Sequence, residues 1–217
     1  MKILVISDLH RSKKAAMQSA NVAEVEEVEQ ILVLGDISHN DFKEATSLLE
    51  LMANSQDVWF VPGNMDSKEL LNWTSDKIRN IHCKVEHCEG GLEIMGIGGS
   101  TITPFNTMIE FNEDEMMSML NNTSSNLKSE DFILVSHCPP KNTKVDKTNF
   151  GMHGGSKSIF SFIKERKPAL NLCGHIHEGF GTDKIDKTLI LNPGSAKDGR
   201  YAIIEDDSEW RISFNEF

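Results

Sequence analysis

Five short apolar runs in this chain each stop at side chains of the kind that bind cations. Ile3–Ser7 leads into Asp8-Leu9-His10, and Ile31–Gly35 into Asp36. Val58–Val61 is followed by Gly63-Asn64-Met65-Asp66, Phe132–Ser136 by His137, and residues 169–173 by Gly174-His175-Ile176-His177. Apolar runs this short, bounded by glycine and proline, read as buried strands. The stretches between the first three read as helices. Ser12–Glu27 carries Ala16, Ala20 and Ala23 on one face, and Asp41 with Glu44 makes a capping box ahead of Ala45, Leu48, Leu49 and Met52. Strands alternating with helices predict an α/β layered domain. In open α/β sheets, sites assemble at the carboxyl ends of the strands.

The remaining segments are less regular. Residues 81–86 and 92–97 read as strands around a Gly90-Gly91 turn, and 112–128 as a polar helix with Met116, Met117, Met119 and Leu120. Residues 141–155 read as a long surface loop. Ile159, Phe162 and Ile163 mark a helix closed by Pro168, and residues 188–192, 200–205 and 209–214 read as strands. No linker or repeat interrupts the 217 residues, so one domain spanning 1–217 is expected.

Composition narrows the function. A net charge of −11 argues against strong nucleic-acid binding, which needs a clustered basic face. No apolar run approaches the roughly 18–20 residues of a membrane span, so no membrane partner is expected. The first apolar run is too short for an export signal, and the four cysteines form no CxxC pair. A cytoplasmic protein with free thiols is the expectation. Oligomeric state is open at this level.

The strand-end groups are Asp8, His10, Asp36, Asn64, His137, His175 and His177. In Asp-x-His and His-x-His, extended backbone would place alternate side chains on one side, within reach of one centre. The glycines before Asp36, Asn64 and His175 allow positive φ and close backbone approach. Seven ligands exceed what one ion takes. They suit two ions, four protein ligands each, if one group is shared, and the Asp36 carboxylate is the best bridge. Nitrogen and oxygen donors without thiolate suit Mn²⁺, Fe, Co²⁺, Ni²⁺ or Zn²⁺ rather than Ca²⁺.

With D-x-H, G-D, G-N-x-D, H and G-H-x-H in this order, the chain resembles the calcineurin-like metallophosphoesterase superfamily, and within it the small single-domain prokaryotic members. The resemblance implies a four-layer α/β/β/α sandwich of two mixed β-sheets flanked by helices. It assigns Asp8, His10, Asp36 and His177 to one metal, and Asp36, Asn64, His137 and His175 to the other. It implies hydrolysis of a small phosphodiester, or an activated monoester, by a metal-bridging hydroxide, with Mn²⁺ first among the candidate ions. Many relatives carry a histidine after the Asn that assists the leaving group, and here Met65 stands in its place. Asp66 is then expected to orient its neighbours. His153, just before a helix start that would offer free N–H groups to an anion, and His39 are the candidates to contact phosphate or donate a proton. A nuclease and a catalytically silent binding scaffold share this fold. The acidic charge and Met65 count against the first, and the complete ligand set against the second.

Overall fold

A computed structural model describes residues 1–88, 91–207 and 209–217, so Gly90 of the expected Gly90-Gly91 turn lies outside the described residues. One six-stranded sheet contains β1 (Lys2–Ile6), β2 (Gln30–Val33), β3 (Val58–Phe60) and β4 (Ile78–Asn80), with β13 (Arg200–Asp207) and β14 (Glu209–Glu216) beyond β1. The first four run parallel, while β13 lies antiparallel to both β1 and β14. The second sheet contains β5 (Lys84–His87), β6 (Glu93–Ile97), β9 (Phe132–Ser136), β10 (Leu170–Leu172), β11 (Gly181–Ile185) and β12 (Thr188–Asn192), in the order β11-β12-β10-β9-β6-β5. A small parallel pair, β7 (Ser100–Thr101) and β8 (Glu110–Phe111), sits apart.

Strand alternation explains the layering. Leu4 and Ile6, Ile31 and Val33, and Val58 and Phe60 face α1 (Lys13–Val25) and α2 (Phe42–Ala53) in one core cluster. Their neighbours Ile3, Val5, Leu32 and Trp59 face Ile94, Ile133, Val135 and Leu172 of the other sheet. Met95, Ile97, Phe132 and Leu134 face away from that seam, onto α3 (Glu113–Ser124) and α4 (Lys157–Arg166). Both sheets are thus buried on both faces, which is why their strands read as unbroken apolar runs. The result is the α/β/β/α sandwich with two mixed sheets.

Several local expectations change. α1 starts at Lys13 behind Ser12 as N-cap, and its buried face is Ala15, Ala16, Ser19 and Ala23, leaving Ala20 half-exposed. Asp41 accepts the Glu44 N–H, but the reciprocal capping box is at Asn112 and Glu115, ahead of α3. Residues 81–86 are no single strand. Chain direction breaks at Cys83, whose φ is +54°, so β4 and β5 fall in different sheets. The hairpin strand β11 and the short pair β7/β8 carry too little apolar signal to be seen in advance. The 141–155 stretch is not simply a surface loop. Asp146 is fully buried there and accepts N–H groups from Thr143 (2.8 Å) and Gly155 (3.1 Å) and the His153 ring (2.7 Å).

Glycine is required where the sheets meet. A Cβ on Gly174 would collide with Ser7 Oγ, and a Cβ on Gly63 with the backbone and carboxylate of Asp36. Gly174→Ala should therefore cost about 3 kcal/mol of stability, as overpacking of a rigid contact does. Urea denaturation of the two proteins measures it, and a difference under about 0.5 kcal/mol would mean the contact is soft.

Candidate metal centre

The ligand-type side chains converge where the ends of β1, β2 and β3 meet those of β9 and β10. Backbone hydrogen bonds carry the pairing past the strand ends. Asp8 N–H donates to Gly35 O (3.0 Å), His10 N–H to Asp36 O (2.9 Å) and Gly174 N–H to His137 O (2.9 Å). The convergence is not produced by extended backbone, as the x-spaced motifs led us to expect. Asp8, His10, Asp36 and His175 have φ values of +56°, +43°, +51° and +66°. Four non-glycine residues in the left-handed region mark stored strain at one place. Of the three glycines preceding a ligand, only Gly35 uses positive φ (+100°), whereas Gly63 and Gly174 serve close approach.

Two groups of ligand atoms result, Asp8 with His10 and His177, and Asp36 with His137 and His175. In the first, His10 Nε2 lies 3.0 Å from His177 Nε2 and 3.8 Å from Asp8 Oδ1, and His177 Nε2 lies 3.4 Å from Asp8 Oδ1. In the second, His137 Nε2 lies 2.9 Å from Asn64 Oδ1 and 3.5 Å from Asp36 Oδ1. Asp36 Oδ2 lies 3.9 Å from His10 Nε2, so this carboxylate reaches both groups.

Proton bookkeeping shows what the centre lacks. His137 Nδ1 donates to Leu34 O at 2.7 Å, and burial holds its imidazole neutral, so Nε2 carries only a lone pair. Asn64 Nδ2 donates to Thr107 Oγ1 (3.0 Å), which turns Oδ1 toward that lone pair. Acceptor therefore faces acceptor across 2.9 Å with no hydrogen between them. Asp8 Oδ1 is buried with no hydrogen-bond partner. Buried acceptors facing one another are costly unless positive charge lies among them. These residues fit divalent cations.

The titration behaviour has the same cause. Burial pushes His10 down to about 4 and His175 down to about 3, leaving neutral imidazoles, the form that ligates metal. Burial, with the Asp8 and Asp66 charges, pushes Asp36 well up. Burial also raises Asp8, but the nearby His177 and His137 imidazoles outweigh that and bring it down.

Around the ligands, Asp66 is fully buried and accepts N–H groups from Gly63 (2.8 Å), Ser38 (2.8 Å) and Ile37 (3.2 Å). It ties the loop that carries Asp36 to the loop that carries Asn64. His39 Nε2 lies 2.9 Å from His10 Nδ1. His153 lies outside the cluster on the buried Asp146, in a loop whose Gly154 abuts Ile176, between the ligands His175 and His177. The start of α4 does not offer free N–H groups to an anion, because Glu113 accepts those of Lys157 and Ser158. His82, within the 81–86 run that reads as a strand, forms an isolated bridge to Gly96, accepts the Gly98 N–H and stacks on Phe111. Thr107, with Glu110 behind it, and Asp146 were not foreseen. Each is a lone polar residue in a loop, and only the folded chain supplies its partners. A cavity of about 410 Å³ opens beside His177, lined by Asn149, Glu178, Asp198 and Arg200.

The comparisons agree with this geometry. Residues 1–205 match the model of the calcineurin-like phosphoesterase superfamily domain. The chain belongs to this superfamily. It is 39% identical over 201 residues to protein MJ1162 of Methanocaldococcus jannaschii, covering 89% of this chain and 88% of that one. The crystal structure of TT1561 of Thermus thermophilus shares its fold, with TM-score 0.77 and 16% identity over 99% of this chain and 98% of that one. So does a dimetal phosphatase from Danio rerio, with TM-score 0.65 and 12% identity over 100% of this chain and 96% of that one.

Two substitutions separate the roles. Asp66→Ala leaves three buried N–H groups without an acceptor and should cost about 3 kcal/mol of stability by chemical denaturation. Asp36→Asn should behave oppositely in chelator-treated protein. A carboxyl raised by burial contributes stability that is present below its unfolded value near 4 and lost as pH rises through the raised folded value. The variant should thus gain on the parent by about 1 kcal/mol or more between pH 5 and pH 8. Parallel pH profiles for the two would show that Asp36 is not strained by its burial.

Proposed function

We propose that the chain is a metal-dependent hydrolase of phosphate esters, acting on small phosphodiesters and on monoesters with good leaving groups. The observation that carries this is the buried pair of lone pairs on Asn64 Oδ1 and His137 Nε2, which face each other with no proton between them beside the unpartnered Asp8 Oδ1. Asp8, His10, Asp36 and His177 would hold one cation, and Asp36, Asn64, His137 and His175 the other, with Mn²⁺ the first candidate. When bound, a pair of divalent cations supplies Lewis acidity toward phosphoryl oxygens and lowers the pKa of a coordinated water.

The chain's own residues set up the rest. Leu34 O and Thr107 fix the donor atoms of His137 and Asn64, so the ligand directions are built before any ion arrives. His39 positions His10 through its Nδ1 side. Met65 cannot donate a proton. His153, its Nδ1 held by Asp146 and its ring part-exposed, is the imidazole we assign to the leaving-group oxygen, with Nε2 as the donating atom. His153→Ala should then lower kcat on alkyl diesters by about tenfold or more, with a smaller loss on aryl diesters that leave unaided. Equal turnover of both substrate types in parent and variant would remove His153 from this role.

The direct test is hydrolysis of bis-p-nitrophenyl phosphate with Mn²⁺, Ni²⁺, Fe²⁺, Co²⁺ or Zn²⁺. Activity should vanish with chelator and fall by about a thousandfold or more in His137→Ala. A chain that stays metal-free and inert would instead be a binding scaffold on this fold.

A further inference from the structure

Of the seven large apolar side chains that stand most exposed among the described residues, four sit on two loops that rim the metal centre. Ile102 (70% exposed) and Phe105 (81%) belong to the segment before Thr107, the residue that holds Asn64. Phe150 (88%) and Met152 (64%) follow Asn149, which lines one cavity with His177. Asn64 and His177 belong to the two neighbouring groups of one site, so each apolar tip lies close in sequence to a residue that lines or supports that site. Exposed aromatic and Met side chains gathered at one rim are unusual for a surface that faces only water.

Charge collects on the same rim. In a chain of net −11, the segment 141–157 carries Lys141, Lys144, Lys147 and Lys157 against one acid, Asp146. Lys144, Lys147 and Lys157 are exposed, while Asp146 is buried beneath the loop with its oxygens taken by Thr143, Gly155 and His153. Asp183 and Glu113 accept the N–H groups of Lys144, Lys157 and Ser158 and keep their charge, and Glu178 and Asp198 line the cavity beside His177, so the basic character is confined to the exposed lysines of the 141–157 loop. The loops are firmly seated. Gly179 abuts Val145, and Glu110 holds Thr103 and Thr107. The apolar tips are thus presented by anchored loops, not by loose ones.

We propose that this rim docks on an anionic lipid surface, with Phe105 and Phe150 entering the headgroup layer and the lysines of residues 141–157 pairing with lipid phosphates. Apolar residues that insert, with Lys on the loop that carries Phe150 and Met152, combine the two contributions that interfacial attachment requires, since either alone binds weakly. A nucleic acid would use the lysines but would need stacking faces along a continuous basic track. A second copy of this chain would bring like-charged lysine rims together. The proposal departs from the expectation of no membrane partner because residues 102–105 and 150–152 are far apart in sequence, and only the fold puts them at one site. It goes beyond the phosphoesterase reading and uses no metal ligand.

The test is co-sedimentation of the 217-residue chain with phosphatidylcholine vesicles, with or without about 30% phosphatidylglycerol, at about 0.1 M salt. The account expects about tenfold or tighter binding to the anionic vesicles. It expects that margin to be lost in Phe105→Ser/Phe150→Ser and, separately, in Lys144→Glu/Lys147→Glu, with both variants keeping the parent's melting temperature and bis-nitrophenyl phosphate hydrolysis as folding controls. Pelleting with neither vesicle, or equal pelleting of parent and variants, would overturn it. So would single-stranded DNA binding without vesicle binding, or a dimer in sedimentation equilibrium that Phe105→Ser/Phe150→Ser breaks apart. A parent that hydrolyses phosphodiesters but ignores vesicles defeats only this proposal. One that pellets with anionic vesicles but lacks hydrolysis defeats only the phosphoesterase reading.

Discussion

Uncompensated negative and lone-pair character, buried where two sheets meet, is the constraint around which this molecule is built. Asp8 and Asp36 are almost wholly inside, and His137 is fully so. Asp8 Oδ1 finds no donor, His137 Nε2 faces the Asn64 carbonyl oxygen, and Asp36 Oδ1 has only the Met65 N–H. Hydrophobic burial across three apolar clusters supplies the driving force that holds such groups together. The sandwich is in this sense a clamp. Strands packed on both faces cannot splay, so the loops at their ends cannot relax the crowding by moving apart.

The backbone shares the strain. Left-handed conformations at Asp8, His10, Asp36 and His175 turn the side chains inward, and they persist because N–H···O bonds lock neighbouring loops to one another. Asp66 stands behind two of those loops and spends a buried carboxylate on three backbone donors. Such an arrangement gives up stability in the metal-free chain in exchange for candidate ligands that would need no rearrangement to take up cations.

Much of this was legible in the sequence. The strand-forming runs could be read because burial on both faces makes them continuously apolar. The candidate ligand groups could be read because imidazole, carboxylate and amide groups recur at their ends. The alternation of strands and helices makes an α/β layered domain legible, whereas the four-layer order was implied only by the resemblance to the superfamily. Three things could not be read. The left-handed φ values at non-glycine ligands have no compositional mark. Partners such as Thr107 for Asn64, or Glu113 for the start of α4, are set by tertiary contact across 43 and 44 positions of chain. The break at Cys83, which sends β4 and β5 into separate sheets, looks locally like one continuous strand. Sequence pattern identifies which groups gather, whereas their directions depend on hydrogen bonds that only the folded chain contains.

The most direct measurement is anomalous diffraction from crystals soaked in Mn²⁺. The account predicts two anomalous peaks per chain, one bounded by Asp8, His10 and His177 and the other by Asn64, His137 and His175, with Asp36 between them. An empty cluster, with the acceptors rotated apart to bond with water, would contradict it.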